Sequence, residues 1–80
     1  MLDDIIIEVT LELERAQHKF PKFNSQHEGY AILLEEMDEL KEAIFWSKKG
    51  GNPRAEAIQV TAMALRFLLD CPERTVNESP

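Results

Sequence analysis

Apolar side chains recur along the start of the chain at alternating steps of four and three: Leu2, Ile6, Val9, Leu13, Ala16 and Phe20. Those steps draw a single stripe down a helix and predict a packed helix over Leu2–Lys19. Asp3 and Asp4 in its first turn and Lys19 in its last suit the helix dipole, and Pro21 stops it. Ser25 followed by Glu28 has the spacing of a capping box and opens a second helix that is expected to run to about Ser47. Its apolar positions are Tyr30, Leu33, Leu34, Met37, Leu40, Ile44 and Phe45. Lys48, Lys49, Gly50 and Gly51 close it, the glycines being suited to a left-handed C-terminal turn.

Asn52 as cap and Pro53 at the first helical position open a third helix. From Ala55 to Cys71 it is apolar on most sides, with Ile58, Val60, Met63, Leu65, Phe67, Leu68 and Leu69 spread around the axis. A helix of that kind needs cover all round, and two neighbouring helices cannot supply it. The expected architecture is therefore all-α: a three-helix protomer that completes a four-helix-type bundle by oligomerisation, as a dimer or a tetramer.

Eighty residues allow one domain, expected over residues 1–72, with the polar, aperiodic stretch 73–80 as a disordered tail. Cys71 is the only cysteine, which excludes a disulfide within the chain and suggests a buried structural thiol in a reducing compartment. No segment has the pattern of a signal peptide and no apolar run reaches the ~20 residues of a membrane span, so a soluble, cytoplasmic protein is expected. The formal charge of −6 argues against coating a nucleic acid polymer or an anionic membrane. A small phosphate-bearing substrate stays open, because a bound cation inverts the local field.

The acids of the second helix change the picture most. Glu28, Glu35, Glu36, Asp38, Glu39 and Glu42 stand there against the single cation Lys41. Like-charge pairs at i, i+3 or i, i+4, such as Glu35/Glu39 and Glu36/Glu39, each cost roughly 0.2–0.5 kcal/mol in an isolated helix. Solvent and salt can absorb that cost on an open face; a divalent cation turns it into binding. Glu28, Glu35, Glu39 and Glu42 cluster within about 60° of the helical wheel, and Glu36 lies to one side beside Ile32 and Ala43. If the third helix covers that side, the acids become interior oxygen ligands for Mg²⁺ or Mn²⁺. The short turn makes the two helices antiparallel, which brings Glu56 towards Glu39 and Glu42, and Gln59 towards Glu35 and Glu36. The repeat Asp4, Glu8, Glu12 on the first helix is read as a solvated face.

Glu35-Glu36-Met37-Asp38-Glu39, followed by Glu56-Ala57-Ile58-Gln59, resembles the EExxE…ExxD signature of the MazG-like all-α nucleoside triphosphate pyrophosphohydrolases. The stretch His27 to Glu36 and the stretch Glu56 to Phe67 are also similar to a short MazG-related branch in phage and bacterial genomes, and the likeness spans roughly Ser25 to Leu69. It implies a dimer or tetramer with an acidic Mg²⁺ (or Mn²⁺) site in a four-helix bundle, and hydrolysis of an NTP or dNTP to a monophosphate and pyrophosphate. By the same resemblance Glu35, Glu36 and Glu39 take catalytic and metal positions, and Glu56 and Gln59 further metal positions. Gln59 stands where the signature has aspartate; an amide oxygen can ligate but adds no charge and cannot act as a base. That departure favours an alternative, a catalytically inactive MazG-like oligomer that binds nucleotide or a protein. A plain oligomerisation module with solvated acids is the third reading.

Helix three is followed by a short tail, where the family has a later helix with phosphate contacts. Lys48, Lys49 and Arg54 are the cations expected to take that role, with Trp46 near the acidic end as a surface for the nucleobase; a polar turn and core packing are the simpler readings of these residues. His18 and His27 are each solitary and read as helix-surface residues.

Overall fold

The computed structural model describes residues 1–46 and 50–71. These form three helices, α1 (Leu2–Lys19), α2 (Gln26–Phe45) and α3 (Pro53–Asp70), with no strand among the described residues. The all-α expectation holds for a single chain.

The helix starts follow from their capping residues. Ser25 Oγ accepts from the Glu28 backbone N–H at 3.1 Å, and the Asn52 side chain accepts from Ala55 N–H at 3.1 Å. The return half of the capping box at α2 is displaced by one residue: the Glu28 carboxylate accepts from Asn24 N–H at 2.8 Å rather than from Ser25. α2 ends at Phe45, short of the expected Ser47, and Trp46 caps it in a non-helical conformation. Gly50 does adopt positive φ, at 74°, but in the connection and not at the helix cap. Ser47, Lys48, Lys49 and the expected tail lie outside the described residues.

Contacts at both ends fix the directions. Glu8 meets Arg54 at the starts of α1 and α3, while Arg66 reaches the Pro21 carbonyl at the far end of α1. α1 and α3 are thus parallel. α2 runs the other way, with Gly29 against Phe67 and Glu36 and Glu39 against Glu56. α3 lies in the middle and packs on both partners, whereas no Cα of α1 comes within 8 Å of one in α2. Val9, Ala16, Ala62 and Met63 form the buried core, with Leu13, Ile32, Leu33 and Ile58 against it.

Two features of the packing differ from the pattern of the sequence. α2 turns its Gly29, Ile32 and Ala43 side towards α3, so the expected stripe residues Tyr30, Met37 and Ile44 stay exposed. Small residues on that side let the backbones approach; a Cβ on Gly29 would sit 2.6 Å from Phe67 Cδ2 and 3.1 Å from Phe23 Cδ2. α3 is covered on one side only, leaving Leu68 71% and Leu69 60% exposed in the single chain.

The second feature is a buried charge pair. Arg66 and Asp70 are 6% and 4% exposed at their side chains, with Nε and Oδ2 3.6 Å apart. The Arg66 guanidinium donates to Pro21 O at 2.7 Å and lies 4.1 Å from the centre of the Phe23 ring. Asp70 accepts from Phe23 N–H at 3.1 Å. The pair therefore ties the α1–α2 connection to α3 and satisfies backbone groups that would otherwise be stranded. Cys71 is half-buried rather than buried, its thiol 3.6 Å from Ser25 O. On the face expected to be solvated, Glu8 is 43% exposed at its side chain and pairs with Arg54, whereas Glu12, only 15% exposed at its side chain, pairs with Arg15.

Candidate metal centre

α2 and α3 cross close together because Gly29 and Ala43 add little bulk, and that closeness brings their acids face to face. One carboxylate oxygen from each of Glu36, Glu39 and Glu56 lies within 4.8 Å of the others. Two belong to α2 at i, i+3, so one helix face presents both; the third comes from the first turn of the antiparallel α3. Asn52 and Pro53, which fix where α3 starts, also fix where Glu56 stands.

The three groups are poorly compatible as free carboxylates. Burial raises the Glu36 pKa to about 7, helped by the Glu39 charge and a hydrogen bond to Glu39, and then by Glu56 and Glu35. Burial also raises Glu56, again with a contribution from Glu39 through charge and hydrogen bonding. A hydrogen bond between two carboxyl groups needs a proton on one of them, so without a cation this cluster retains protons towards neutral pH. Hard oxygen donors that repel one another are also what a divalent cation of the Mg²⁺ or Mn²⁺ type takes, so the donor set fits such an ion. Glu36 is half-buried, Glu39 exposed and Glu56 half-buried, so a cation held here keeps access to solvent.

The other expected site residues are placed as follows. Glu35 is exposed and adds its charge to Glu36 without joining the triad. Gln59 lies one turn beyond Glu56 and lines a cleft of about 500 Å³ together with Glu35 and Glu36. Arg54 turns away from the triad to α1, donating to both Glu8 oxygens at 2.6 and 2.5 Å. Trp46 is exposed, with its ring 5.9 Å from that of Phe45 and Lys41 above it at 5.5 Å. Lys48 and Lys49 lie outside the described residues.

The cleft itself was not foreseen. It opens between α1 and α2, which do not meet, with Met63 and Arg66 of α3 as its floor. Its α2 wall carries Glu28, Glu35 and Glu36; its α1 wall carries Arg15 and Lys19. A signal was present in the sequence: Glu12, Arg15, Ala16 and Lys19 share one face of α1, beside the apolar stripe. Likewise, Arg66 and Asp70 at i, i+4 inside an apolar helix announce a pair that must be buried together.

Among the described residues no helix is long and apolar enough to cross a membrane. No family model, no curated protein and no solved structure matches this chain.

Proposed function

We propose that this chain is a Mg²⁺-dependent nucleoside triphosphate pyrophosphohydrolase of the MazG-like all-α kind, converting an NTP or dNTP to a monophosphate and pyrophosphate. The observation that carries the reading is the convergence of Glu36, Glu39 and Glu56 from two antiparallel helices. The resemblance of Glu35–Glu39 and Glu56–Gln59 to the family signature supports it. When bound, Mg²⁺ or Mn²⁺ supplies positive charge that offsets the polyphosphate and the developing charge of its displacement. Glu39 and Glu56 hold the cation, with Glu35, Glu36 and the Gln59 amide oxygen as further donors. In the reaction a water oxygen bonds to the α-phosphorus and the bond to the α,β-bridging oxygen breaks. Pyrophosphate leaves with that electron pair. A carboxylate of the cluster that is not engaged with the cation, Glu35 or Glu36, takes the water proton.

The protomer is proposed to act as a dimer or tetramer that completes a four-helix bundle in the cytoplasm. Exposed Leu65, Leu68 and Leu69 on α3, together with Tyr30, Leu34 and Met37 on α2, support association.

Gln59, in place of an aspartate, favours a second reading: an inactive MazG-like oligomer that binds nucleotide or a protein. Pyrophosphate release from a panel of dNTPs and NTPs with Mg²⁺ or Mn²⁺ separates the two. Turnover abolished by Glu39→Gln supports the enzyme. Absence of turnover in the native chain, together with activity created by Gln59→Asp, supports the inactive binder. Failure of either cation to raise the melting temperature sinks the metal site itself.

A further inference from the structure

The cleft beside the triad has walls of opposite charge. Glu28, Glu35 and Glu36 line it from α2, and from α1 Arg15 and Lys19 outnumber the single acid Glu12. Among the described residues, no ion pair spans the gap: Arg15 is bound to Glu12 of its own helix, and the remaining pairs lie elsewhere. Lys19 lies over the Phe20 ring at 5.3 Å, also on its own side. Glu12 takes the Nε and Nη2 positions of Arg15, at 3.2 and 2.5 Å. Nη1 is left without a protein hydrogen-bond partner among the described residues. The walls are held apart by α3, since the helices that carry them share no close backbone approach. Lys19 on one wall, and Glu35 and Glu36 on the other, are thus left without an ion-pair partner among the described residues, and Arg15 keeps Nη1 for a further contact.

A bare cation satisfies only the acidic wall, and a bare anion only the basic one. A polyphosphate that carries its own divalent cation satisfies both at once, and a volume of about 500 Å³ is within the range that accommodates a small ligand. We infer that Arg15 and Lys19 of α1 are the phosphate-binding residues of this cleft, receiving the polyphosphate of a metal-complexed ligand whose cation lies on the Glu36 side. The inference deepens the proposed function and rests on it for the placement of the cation. It also assigns the phosphate contacts to α1 rather than to Arg54, which is engaged with Glu8.

The test uses the full chain and inorganic tripolyphosphate, titrated calorimetrically with and without Mn²⁺. Three variants are compared: Arg15→Gln, Lys19→Gln, and Lys22→Gln as an exposed control outside the cleft. Each lost charged hydrogen bond should weaken tripolyphosphate binding about tenfold or more, with the Lys22 variant binding as the native chain does. Melting curves verify that each variant is folded, and a Lys19→Arg variant that retains binding supplies a second check. Equal affinity of all variants overturns the inference and leaves the metal site intact. So does an absence of tripolyphosphate binding to the native chain in the presence of bound Mn²⁺. If Mn²⁺ fails to bind while tripolyphosphate still binds through Arg15 and Lys19, the metal reading falls and the α1 phosphate site stands.

Discussion

The two ends of the α2–α3 seam solve the same problem in opposite ways. At one end, Gly29 lies under Phe67 and Phe23, and the Arg66–Asp70 pair is buried with its partners in place. At the other, Glu36, Glu39 and Glu56 converge with no cation among the described residues paired to them. The first end converts buried charge into fixed geometry. The second leaves like charges together, a cost that a purely structural seam has no reason to keep. Buried, paired charge at the one, closed end and a cluster of like charges at the other, acidic end thus stand on a single helix pair, and the binding role proposed above belongs to the acidic end.

The sharpest way to break this contrast is to remove the cation from the closed end. Arg66→Met strands the Asp70 carboxylate, and the loss of stability should be about 3–5 kcal/mol, read from urea unfolding. A loss under 1 kcal/mol would show that the pair does not hold the connection.

The acidic end should respond in the opposite sense to loss of charge. In the unfolded chain Glu36 titrates near its ordinary 4.5, and in the folded chain near 7. Protonation therefore favours the fold: this contribution is complete below about 4.5 and disappears as pH rises through about 7. In chelator, the melting temperature of Glu36→Gln should exceed that of the native chain at pH 8 and approach it at pH 5. Addition of Mn²⁺ at a hundred times its Kd should stabilise the native chain by about 2.7 kcal/mol at pH 8, and the variant by much less.

Enlarging the closest helix approach gives a smaller effect. Gly29→Ala drives a methyl group into Phe67, costing about 1–3 kcal/mol by overpacking, offset by about 1 kcal/mol of gained helix propensity. The net should be destabilisation of about 1 kcal/mol, measurable by thermal melting. A more stable variant would mean that Phe67 can move aside without cost.

The finest comparison uses the caps. Ser25→Ala at the closed end and Asn52→Ala at the acidic end should each cost about 1 kcal/mol of stability. Only the second loosens the turn that carries Glu56, so only Asn52→Ala should also weaken Mn²⁺ binding, as followed by calorimetry. Equal weakening by both variants would dissolve the distinction between the two ends.

The helices were legible in the sequence because their signals are local. The four-three apolar steps of α1, the Ser25 and Asn52 caps and Pro53 at the start of α3 act within one turn of the chain. The approach of Glu56 to Glu39 was also legible, since a short connection forces antiparallel helices. Which face of α2 meets α3 was left open, the Ile32 and Ala43 side being only a condition of the metal reading. Met37 and Ile44 outrank Gly29 and Ala43 in hydrophobicity, yet the smaller residues permit the closer approach and the larger ones are left exposed.

The sequence by itself thus determined the helical segments, their caps and the excess of acid on α2, all set by backbone sterics and nearest-turn interactions. Tertiary structure alone decided that Glu36 and not Glu35 joins Glu39 and Glu56, that Arg54 is taken up by Glu8, and that Arg15 and Lys19 face the acids across a cleft. Those outcomes depend on how far apart α3 holds its two neighbours. That separation is a sum of side-chain volumes over three helices, and no local pattern in the chain encodes it.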